Sequence, residues 1–438
     1  MAFIRAKLAD GPAAVREAWD GLLRRYLGKQ DLFDMRNALD EARFFFGRKS
    51  LIDDLFYALN RREHVALTGP RKAGKSSLLN LLCQRLNAYP VIMMDLQLYN
   101  RNDERWPDQL SREIISRYDR WGLARYGGKW NPPRLIEDAA MISGPVFRAA
   151  LETRRDLQKR LKNDQPLIIM LDEIERLFPQ IETGQGDLAQ LLKQAQRFIL
   201  FAGILRALGQ EGGDRLISLV IADRQPLFNR VNSFRIPGID TNPFYRFFQE
   251  FYLKPLEPLE CREMISEIGH AMGLEVEEDV LNAIYSDSGG FPALARQLAS
   301  AAANKRGENV KIDSSHYHQG IAWLQEERGD IDRFFKENFR DVMNNAERRI
   351  LALAGDENGV PMETLETAAV PQEREALVEA RRDMLAVGIL EKINGHYRVS
   401  GALFRQWIKE NRMMNDEGVT HSLRIITRSL QSRIQFAL

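Results

Sequence analysis

A lysine, a serine and several glycines near residue 70 have the types and the spacing needed to bind phosphate. Gly69, Gly74, Lys75 and Ser76 fit the pattern GxxxxGK followed by Ser or Thr, in the stretch HVALTGPRKAGKSS. Glycines let the backbone turn tightly, so that several N–H groups can point at one anion. The lysine supplies positive charge to the outer phosphates, and the serine hydroxyl suits Mg²⁺, which prefers oxygen ligands. The motif therefore predicts a site for ATP or ADP with Mg²⁺.

The segments on either side of this loop show whether the match is a chance one. Val65 to Leu67 form an apolar run that predicts a short buried strand. The following stretch, SSLLNLLCQRLNA, has helical periodicity, so the positive end of its helix would face the same anion. A chance match in a glycine-containing loop would need neither neighbour. The candidate nucleotide-binding residues of the loop are Gly69, Pro70, Arg71, Lys72, Ala73, Gly74, Lys75, Ser76 and Ser77.

Acidic residues follow a second apolar segment, PLIIMLDEIERLF at 166–178. Its uninterrupted apolar run predicts a central parallel strand, and ligands lie beyond the carboxyl ends of such strands. Asp172 is therefore placed to hold Mg²⁺ together with Ser76, and Glu173 to orient or deprotonate the attacking water. The alternative is that Asp172, Glu173 and Glu175 only solvate the strand end and cap the next helix. The phosphate-binding loop earlier in the chain favours the catalytic interpretation.

A charged pair, Asp223 and Arg224, ends the apolar segment at 216–222. If this strand lies beside the strand of the phosphate-binding loop, the pair lies near the γ-phosphate and can sense its presence. A surface ion pair at a strand end is the alternative. Arg224 is the stronger candidate, because a planar guanidinium matches phosphate oxygens well. The predicted catalytic residues are thus Glu173, Lys75 and Arg224.

Composition limits the classes of protein that fit. The chain has 438 residues, with 62 Lys and Arg against 61 Asp and Glu. Several domains are therefore expected, and a strongly basic nucleic-acid or membrane binder is not supported. Two cysteines, Cys83 and Cys261, give no disulfide framework and fit a reducing compartment. Neither a signal peptide nor an apolar membrane span is recognisable, so we expect a cytoplasmic protein without membrane contact.

Strands that alternate with helices predict a three-layer α/β/α domain with a parallel sheet. Helical patterns alone follow from residue 259, and three later helices with a hairpin at Asn394 and Gly395 match a winged helix. The expected domains are an N-terminal helical arm at 1–43, the α/β domain at 44–257, an all-helical lid at 258–343, the winged helix at 344–410 and a tail at 411–438.

An insertion at about 99–164 separates the second and third predicted strands. Its many charges and the break NPP at 131–133 predict helices with an intervening loop. Trp106, Trp121 and Trp130 are interpreted as anchors of this helical layer rather than as a base-stacking surface, because aromatic residues usually serve as core.

In this order, the motifs resemble the STAND branch of AAA+-related P-loop ATPases, especially its Orc1-like and NB-ARC-like modules that end in a winged helix. The resemblance covers roughly residues 44–410. It implies a P-loop NTPase fold in which Lys75 and Ser76 belong to Walker A. Asp172 and Glu173 would then be the Walker B acids.

The resemblance also implies nucleotide contacts outside the P-loop. An apolar-Gly-Arg motif lies against the adenine in that family, and a GxP motif touches the nucleotide from the lid. The matching residues are Phe46, Gly47 and Arg48 for the first motif and Gly290 and Pro292 for the second. Arg224 takes the place of the family's sensor arginine.

By resemblance, the chain is a molecular switch that binds ATP with Mg²⁺, hydrolyses it slowly and forms a homo-oligomer in the ATP state. STAND proteins usually carry an effector before this module and a repeat sensor after it. About forty residues precede the module here and about thirty follow it, so we expect the effector or sensor to be a separate partner. Family analogy suggests a role in bacterial conflict or regulation.

Two alternatives to the switch stay open. An Orc1-type or transposition-type ATPase would use its winged helix on DNA. The presumed recognition helix, EREALVEARRDMLAVG, mixes acids with arginines, whereas phosphate binding favours uncompensated Lys and Arg. A scaffold that holds ADP permanently is the second alternative, and the intact Asp172–Glu173 pair argues against it.

Overall fold

The computed structural model describes most of the chain in two compact units. The described residues are 11, 31–34, 45–133, 144–179, 188–210, 217–223, 248–307, 309–327, 329–341, 343–367 and 374–411. One unit spans residues 48–253, and the other combines residues 254–438 with the chain up to residue 47. Most of the predicted arm at 1–43 and of the predicted tail at 411–438 lies outside the described residues.

A five-stranded parallel sheet forms the centre of the first unit. Its strands are β1 (His64–Thr68), β2 (Val91–Asp95), β3 (Leu167–Asp172), β4 (Ile217–Asp223) and β5 (Phe248–Tyr252). They lie in the order β2-β3-β4-β1-β5, and each neighbouring pair is parallel. Every residue of β1, β3 and β4 is buried, which is why these segments read as uninterrupted apolar runs. The strands predicted within 65–67, 166–178 and 216–222 are confirmed as β1, β3 and β4, and the ends of these three strands are neighbours.

Helices cover both faces of this sheet. They are α1 (Lys49–Asn60), α2 (Lys75–Arg85), α3 (Trp106–Tyr126), α4 (Gly144–Arg160) and α5 (Leu188–Gln210). Side chains alternate along a strand, so Ile169 and Leu171 of β3 pack with α3, α4 and α5 on one face. Met170 points to the other face, where its Sδ lies 3.6 Å from Sγ of Cys83 in α2. The three-layer arrangement predicted from the sequence is therefore present.

The predicted insertion consists of α3 and α4, packed around its tryptophans. Trp106 and Trp130 are buried, and Trp121 packs edge-on against Trp130. Asp119 is the polar centre of this layer. Its carboxylate accepts hydrogen bonds from Trp130 Nε1 at 3.0 Å and from Arg154 Nε and Nη2 at 2.8 and 2.6 Å. The tryptophans are structural anchors, as predicted.

The second unit begins with the predicted lid. Its helices are α6 (Pro258–Ala271), α7 (Glu278–Ser288), α8 (Pro292–Lys305), α9 (Ser314–Ala322) and α10 (Asp330–Phe335). A two-residue parallel pair, β6 (Glu275–Val276) and β7 (Lys311–Ile312), adds to this helical lid. The pair was not predicted, because two residues are too few to show a periodic pattern.

A segment from the start of the chain docks on this lid. Phe33 is fully buried, and Arg296 of α8 donates to the carbonyl oxygen of Leu32 at 2.6 Å. Burial lowers the pKa of Arg296 to about 10, against the attraction of Asp31 and Asp34.

The rest of the second unit alternates helices with short antiparallel strands. Its elements are α11 (Asn345–Ala354), β8 (Val360–Pro361), α12 (Met362–Thr367), α13 (Arg374–Ala386), β9 (Leu390–Ile393), β10 (His396–Val399) and α14 (Ala402–Glu410). The strands pair in the order β8-β10-β9. Asn394 and Gly395 turn the β9–β10 hairpin with φ of 49° and 84°, as a type I′ turn requires. Three helices and a hairpin follow the order predicted for a winged helix.

Across the described parts of both units, no helix combines the length and apolar character that crossing a membrane requires.

Candidate nucleotide-binding site

The phosphate-binding motif forms the turn between β1 and α2. Gly74 directly precedes α2 and has a φ of 97°, a left-handed conformation that glycine adopts without strain. Lys72, in the same loop, is also left-handed with a φ of 58°. At the start of the loop, a side chain on Gly69 would come within 2.9 Å of the carbonyl oxygen of Leu253. Both motif glycines therefore occupy positions where a side chain is strained or crowded.

Lys75 is buried at the first turn of α2 and is folded back onto its own loop. Its Nζ donates hydrogen bonds to the carbonyl oxygens of Gly69 at 2.7 Å and Pro70 at 3.0 Å. Burial lowers the pKa of Lys75 from its ordinary value. Four acids oppose this shift by attraction, which are, from the largest contribution, Glu175, Asp172, Asp223 and Glu173. These acids end β3 and β4 or follow β3 within three residues.

Ser76 and Asp172, the two predicted metal ligands, lie in direct contact. The Ser76 hydroxyl donates to Asp172 Oδ2 at 2.6 Å across 96 positions of sequence. Burial raises the pKa of Asp172, while the hydrogen bond from Ser76 and the charge of Lys75 oppose the increase. A hydroxyl and a carboxylate are the oxygen ligands that Mg²⁺ accepts in nucleotide sites, where it keeps several waters. Among the described residues, no cluster of three or more His, Cys, Asp or Glu is placed to hold a metal ion.

Glu173 follows β3 in a strained backbone conformation. Its φ of 55° and ψ of 47° are left-handed, which costs a non-glycine residue roughly 1–2 kcal/mol. Such strain concentrates at functional sites, where the surrounding structure imposes it. The Glu173 N–H donates to Asp172 Oδ1 at 3.0 Å, and its carboxylate accepts from Arg176 Nε at 3.2 Å. Glu173 makes no side-chain cap to the short helical turn Ile174–Leu177, so the capping alternative does not explain it.

Glu175 and Asp223 are not among the site residues predicted from the sequence. The sequence places Glu175 only in the alternative in which the acids solvate the strand end and cap the next helix, and it favours Arg224 over Asp223. The structure buries both, with 6% of Glu175 and 0% of Asp223 exposed. The sequence gives no signal for this burial, because Asp and Glu are mostly exposed in proteins.

Arg48 reaches the phosphate-binding loop itself. Its Nη1 donates to the carbonyl oxygen of Ala73 at 2.7 Å and would lie 3.3 Å from a side chain on Gly74. Arg48 is also left-handed, with a φ of 60°, and caps the start of α1 by position. One partner of Arg48 is therefore the loop backbone, and its contact with adenine stays a prediction.

The remaining predicted site residues are not brought to the loop by described contacts. Phe46, Gly47 and Pro292 belong to the second unit, where Gly47 packs against the carboxylate of Glu260 and Pro292 begins α8. Their contact with nucleotide stays a prediction. Arg224 lies outside the described residues, so its sensing role also stays a prediction.

Comparison with known proteins gives one partial relative and several similar folds. The chain is 25% identical over 174 residues to the hemin import ATP-binding protein HmuV of Photobacterium profundum, which covers 40% of this chain and 54% of that protein. This chain thus spans about half the length of that curated relative. A Walker-type ATPase of Pyrococcus abyssi superposes with a TM-score of 0.56 and 17% identity, covering 86% of this chain and 99% of the other. The RuvB Holliday junction branch migration motor of Thermotoga maritima is less similar, with a TM-score of 0.39, 15% identity and coverage of 85% and 97%.

The fold of the first unit is that of a P-loop NTPase, as the five-stranded sheet and the P. abyssi structure show. The sequence profile of one family, Novel STAND NTPase 1, matches residues 36–322. That range contains the phosphate-binding loop, both acids that end β3, and the helices of the lid up to α9. Because the match extends over more than half of the sequence, the chain belongs to the Novel STAND NTPase 1 family.

Proposed function

We propose that this chain binds ATP with Mg²⁺ at the P-loop, hydrolyses it slowly, and uses the nucleotide state to control its conformation and its partners. The observation that carries the proposal is the meeting of Lys75, Ser76 and Asp172 at one point, with Ser76 Oγ 2.6 Å from Asp172 Oδ2. The name of HmuV, an ATP-binding protein, agrees with the ligand.

Lys75 is held ready for phosphate. It now donates to two carbonyl oxygens of its own loop, and both hydrogen bonds can be exchanged for phosphate oxygens. Because the ammonium group is buried, its charge would act on them with little screening by water. Ser76 and Asp172 would hold Mg²⁺, which when bound offsets the charge of the phosphate oxygens.

Glu173 would orient the attacking water and accept its proton. Its carboxylate is already in an ion pair with Arg176 at 3.2 Å. The hydrogen bond from Arg176 has to break or be shared before the Glu173 carboxylate can accept one from a water molecule. Slow turnover, suited to a switch, is the expected consequence.

A set of glycines in the second unit supports the conformational part of the proposal. Gly289, Gly290 and Gly401, here called the glycine junction, bring the end of α7 against the start of α14. A side chain on Gly289 would lie 2.6 Å from the backbone nitrogen of Gly401, and one on Gly401 would lie 3.0 Å from the carbonyl oxygen of Asp287. A side chain on Gly290 would overlap the carbonyl oxygen of Leu256. The backbone N–H of Leu256 in turn donates to the carbonyl oxygen of Gly290 at 2.8 Å.

The glycine junction joins the lid to the last helix of the winged-helix segment by backbone contact. Pro292 lies two residues after Gly290. If bound nucleotide touches Pro292, as the resemblance implies, the lid and α14 would respond together, since no flexible side chain separates them. Assembly in the ATP state and a separate effector are further parts of this proposal and rest on the family alone.

The test is substitution of the buried lysine. We expect Lys75→Ala to weaken ATP binding about 100-fold, because two charge-assisted hydrogen bonds to phosphate are lost, and to stop phosphate release. Lys129→Ala, at an exposed site of the same unit, is the control and should bind ATP like the wild type. Unchanged affinity in Lys75→Ala would rule out the P-loop assignment. Sizing the wild type with an ATP analogue and with ADP then tests assembly.

The DNA-associated alternative gains no support from α13. The guanidinium of Arg381 lies over the ring of Tyr397 at 5.5 Å, and Arg382 pairs with Asp383 at 3.5 Å. These arginines are engaged within the protein, whereas DNA binding favours uncompensated cations. A gel shift of the full chain at low salt tests this alternative, and tight, salt-sensitive binding would revive it.

A further inference from the structure

Residues 31–34, here called the docked turn, fill a pocket on the lid. Phe33 of this turn is fully buried, and a side chain added to Gly269 of α6 would come within 3.9 Å of its Cζ. Arg296 and Ser300 of α8 both donate hydrogen bonds to the turn. They are four positions apart, so they lie on one face of that helix. The pocket therefore lies between α6 and α8, within the second unit.

The docked turn holds its shape by contacts among its own residues. The Asp34 N–H donates to the carbonyl oxygen of Asp31 at 3.2 Å. The Phe33 N–H donates to Asp31 Oδ1 at 2.9 Å. An aspartate that accepts from the main chain two residues later is a common way to stabilise a tight turn. The four residues therefore carry the conformation in which they dock.

The lid recognises the main chain and one carboxylate of the docked turn. Arg296 Nη2 donates to the carbonyl oxygens of Leu32 at 2.6 Å and of Asp34 at 3.4 Å. Ser300 Oγ donates to Asp31 Oδ2. Arg296 is only 7% exposed, and a buried guanidinium needs hydrogen-bond acceptors. Among the described residues, its acceptors are the two carbonyl oxygens of the turn, so the pocket is complete only when a turn occupies it.

These contacts do not depend on which copy of the chain supplies the docked turn. Ten residues, 35–44, separate the turn from Phe45, and ten extended residues span at most about 35 Å, so a released turn can reach that far. The turn of a second copy would make the same contacts. It would lack only the effective concentration, roughly millimolar for a short linker, that a covalent connection gives. Copies held close together would therefore exchange turns at low cost, as identical segments do in domain swapping.

We propose that this pocket is a peptide-binding site for a turn of the type Asp-X-Phe, and that it takes the docked turn of a second copy when copies are held together. In a free chain, the pocket is filled by the chain's own turn. The proposal concerns α6, α8 and the turn, and it does not rest on nucleotide binding.

The test mixes two full-length variants, each of which lacks one half of the contact. Phe33→Ala removes the buried ring and empties the pocket, whereas Arg296→Met keeps the turn and removes the donor of the lid. In sedimentation velocity without nucleotide, the mixed pair should associate at least about tenfold more tightly than either variant does with itself. Burial of one phenylalanine ring is enough for a change of this size. The control mixes Phe33→Ala with the double variant Phe33→Ala/Arg296→Met, which has no ring to insert and should not associate.

A labelled peptide of residues 28–37 tests the pocket without a second copy. It should bind Phe33→Ala at least about tenfold more tightly than it binds the wild type, whose pocket is already filled. Equal binding to the two proteins, or a mixed pair that associates no better than the control, would overturn the proposal.

Replacement variants cover a failure to fold, which thermal unfolding would reveal. Ser300→Asp replaces Arg296→Met, because it places a carboxylate against that of Asp31. Asp31→Lys replaces Phe33→Ala, because it removes the acceptor that holds the turn. The same association and the same peptide binding are expected from the replacements, and their absence would overturn the proposal.

Discussion

The two units of this protein place their critical groups in opposite ways. The first unit buries charged side chains from separate segments at one point, among them Lys75, Asp172 and Asp223. The glycine junction of the second unit brings backbone against backbone, with no side chain between them. Charged groups change their energy when a ligand brings charge, whereas close backbone contacts change only when elements move. The first unit therefore depends on buried charge at this point, and the second depends on close backbone contact.

This difference predicts which substitutions each unit tolerates. In the second unit, adding a single methyl group at a junction glycine should disturb folding more than removing a charge does. In the first unit, removing a charge should alter ligand binding while the fold persists, because buried charges cost solvation energy in the unliganded state. The following predictions test the contrast, starting with the largest expected effect on stability.

Gly290→Ala should cause the largest loss of stability. Gly290 has a φ of 75°, and a side chain there would overlap the carbonyl oxygen of Leu256. Left-handed strain and overpacking together predict a loss of about 3 kcal/mol in the free energy of unfolding. Gly395→Ala is the control, because Gly395 has a φ of 84° but open space around it, so only about 1–2 kcal/mol of strain is expected. Equal losses in denaturant unfolding of the two variants would show that the contact at Gly290 is unimportant.

Gly401→Ala should lower the free energy of unfolding less than Gly290→Ala does. It should also uncouple the movement of α14 from that of the lid. Its side chain would lie 3.0 Å from both Asp287 O and Gly289 N, so a loss of about 2 kcal/mol is expected. ATP affinity should stay close to that of the wild type, because the P-loop is untouched. Hydrogen exchange measured with ATP analogue and with ADP should lose the nucleotide-dependent difference in α14. If α14 in this variant responds to nucleotide as it does in the wild type, the glycine junction does not couple the lid to it.

Glu173→Asn tests the opposite expectation in the first unit. Asparagine tolerates the left-handed backbone better than glutamate, so stability should be retained or should rise by up to about 1 kcal/mol. Loss of the carboxylate should slow phosphate release about 100-fold, the usual contribution of a general base. Thermal unfolding and a phosphate-release assay measure the two effects. A variant that is clearly less stable, or that hydrolyses ATP at the wild-type rate, would contradict this role of Glu173.

The sheet and the contact of Ser76 with Asp172 were predictable because their signals are local. Buried parallel strands leave uninterrupted apolar runs, and the P-loop pattern places Ser76 at the start of a helix. The meeting of Ser76 with Asp172 followed from the rule that ligands lie beyond the carboxyl ends of strands. Each of these inferences needed only the local patterns of the segments involved and a general rule of sheet geometry.

The remaining features depend on neighbours that are distant in sequence. A strand-end acid such as Glu175 looks the same whether it faces water or Lys75, so its burial could not be read from the sequence. The bond from Arg48 to Ala73 spans 25 positions, and no pattern marks it. Gly289 and Gly401 each look like an ordinary helix boundary, and their need for glycine comes from the approach of the other. Tertiary contact, rather than local preference, decides these residues.

Asp287→Asn should give the smallest effect and should appear mainly in its pH dependence. Burial raises the pKa of Asp287 above the ordinary value of 3.8, against the hydrogen bond from Tyr317 and the charges of His318 and Arg405. Between 3.8 and the raised value, the folded protein binds more protons than the unfolded chain, so acidification through this range stabilises the wild type. Asparagine keeps an acceptor for the Tyr317 hydroxyl, 2.8 Å away, but cannot titrate. Near neutral pH, the free energy of unfolding of the variant should therefore equal or exceed that of the wild type. This advantage should disappear towards pH 3.8, as measured by denaturant unfolding over this range. Parallel curves would show that Asp287, beside the glycine junction, contributes no pH dependence to stability, which would sharpen the contrast between the junction and the P-loop.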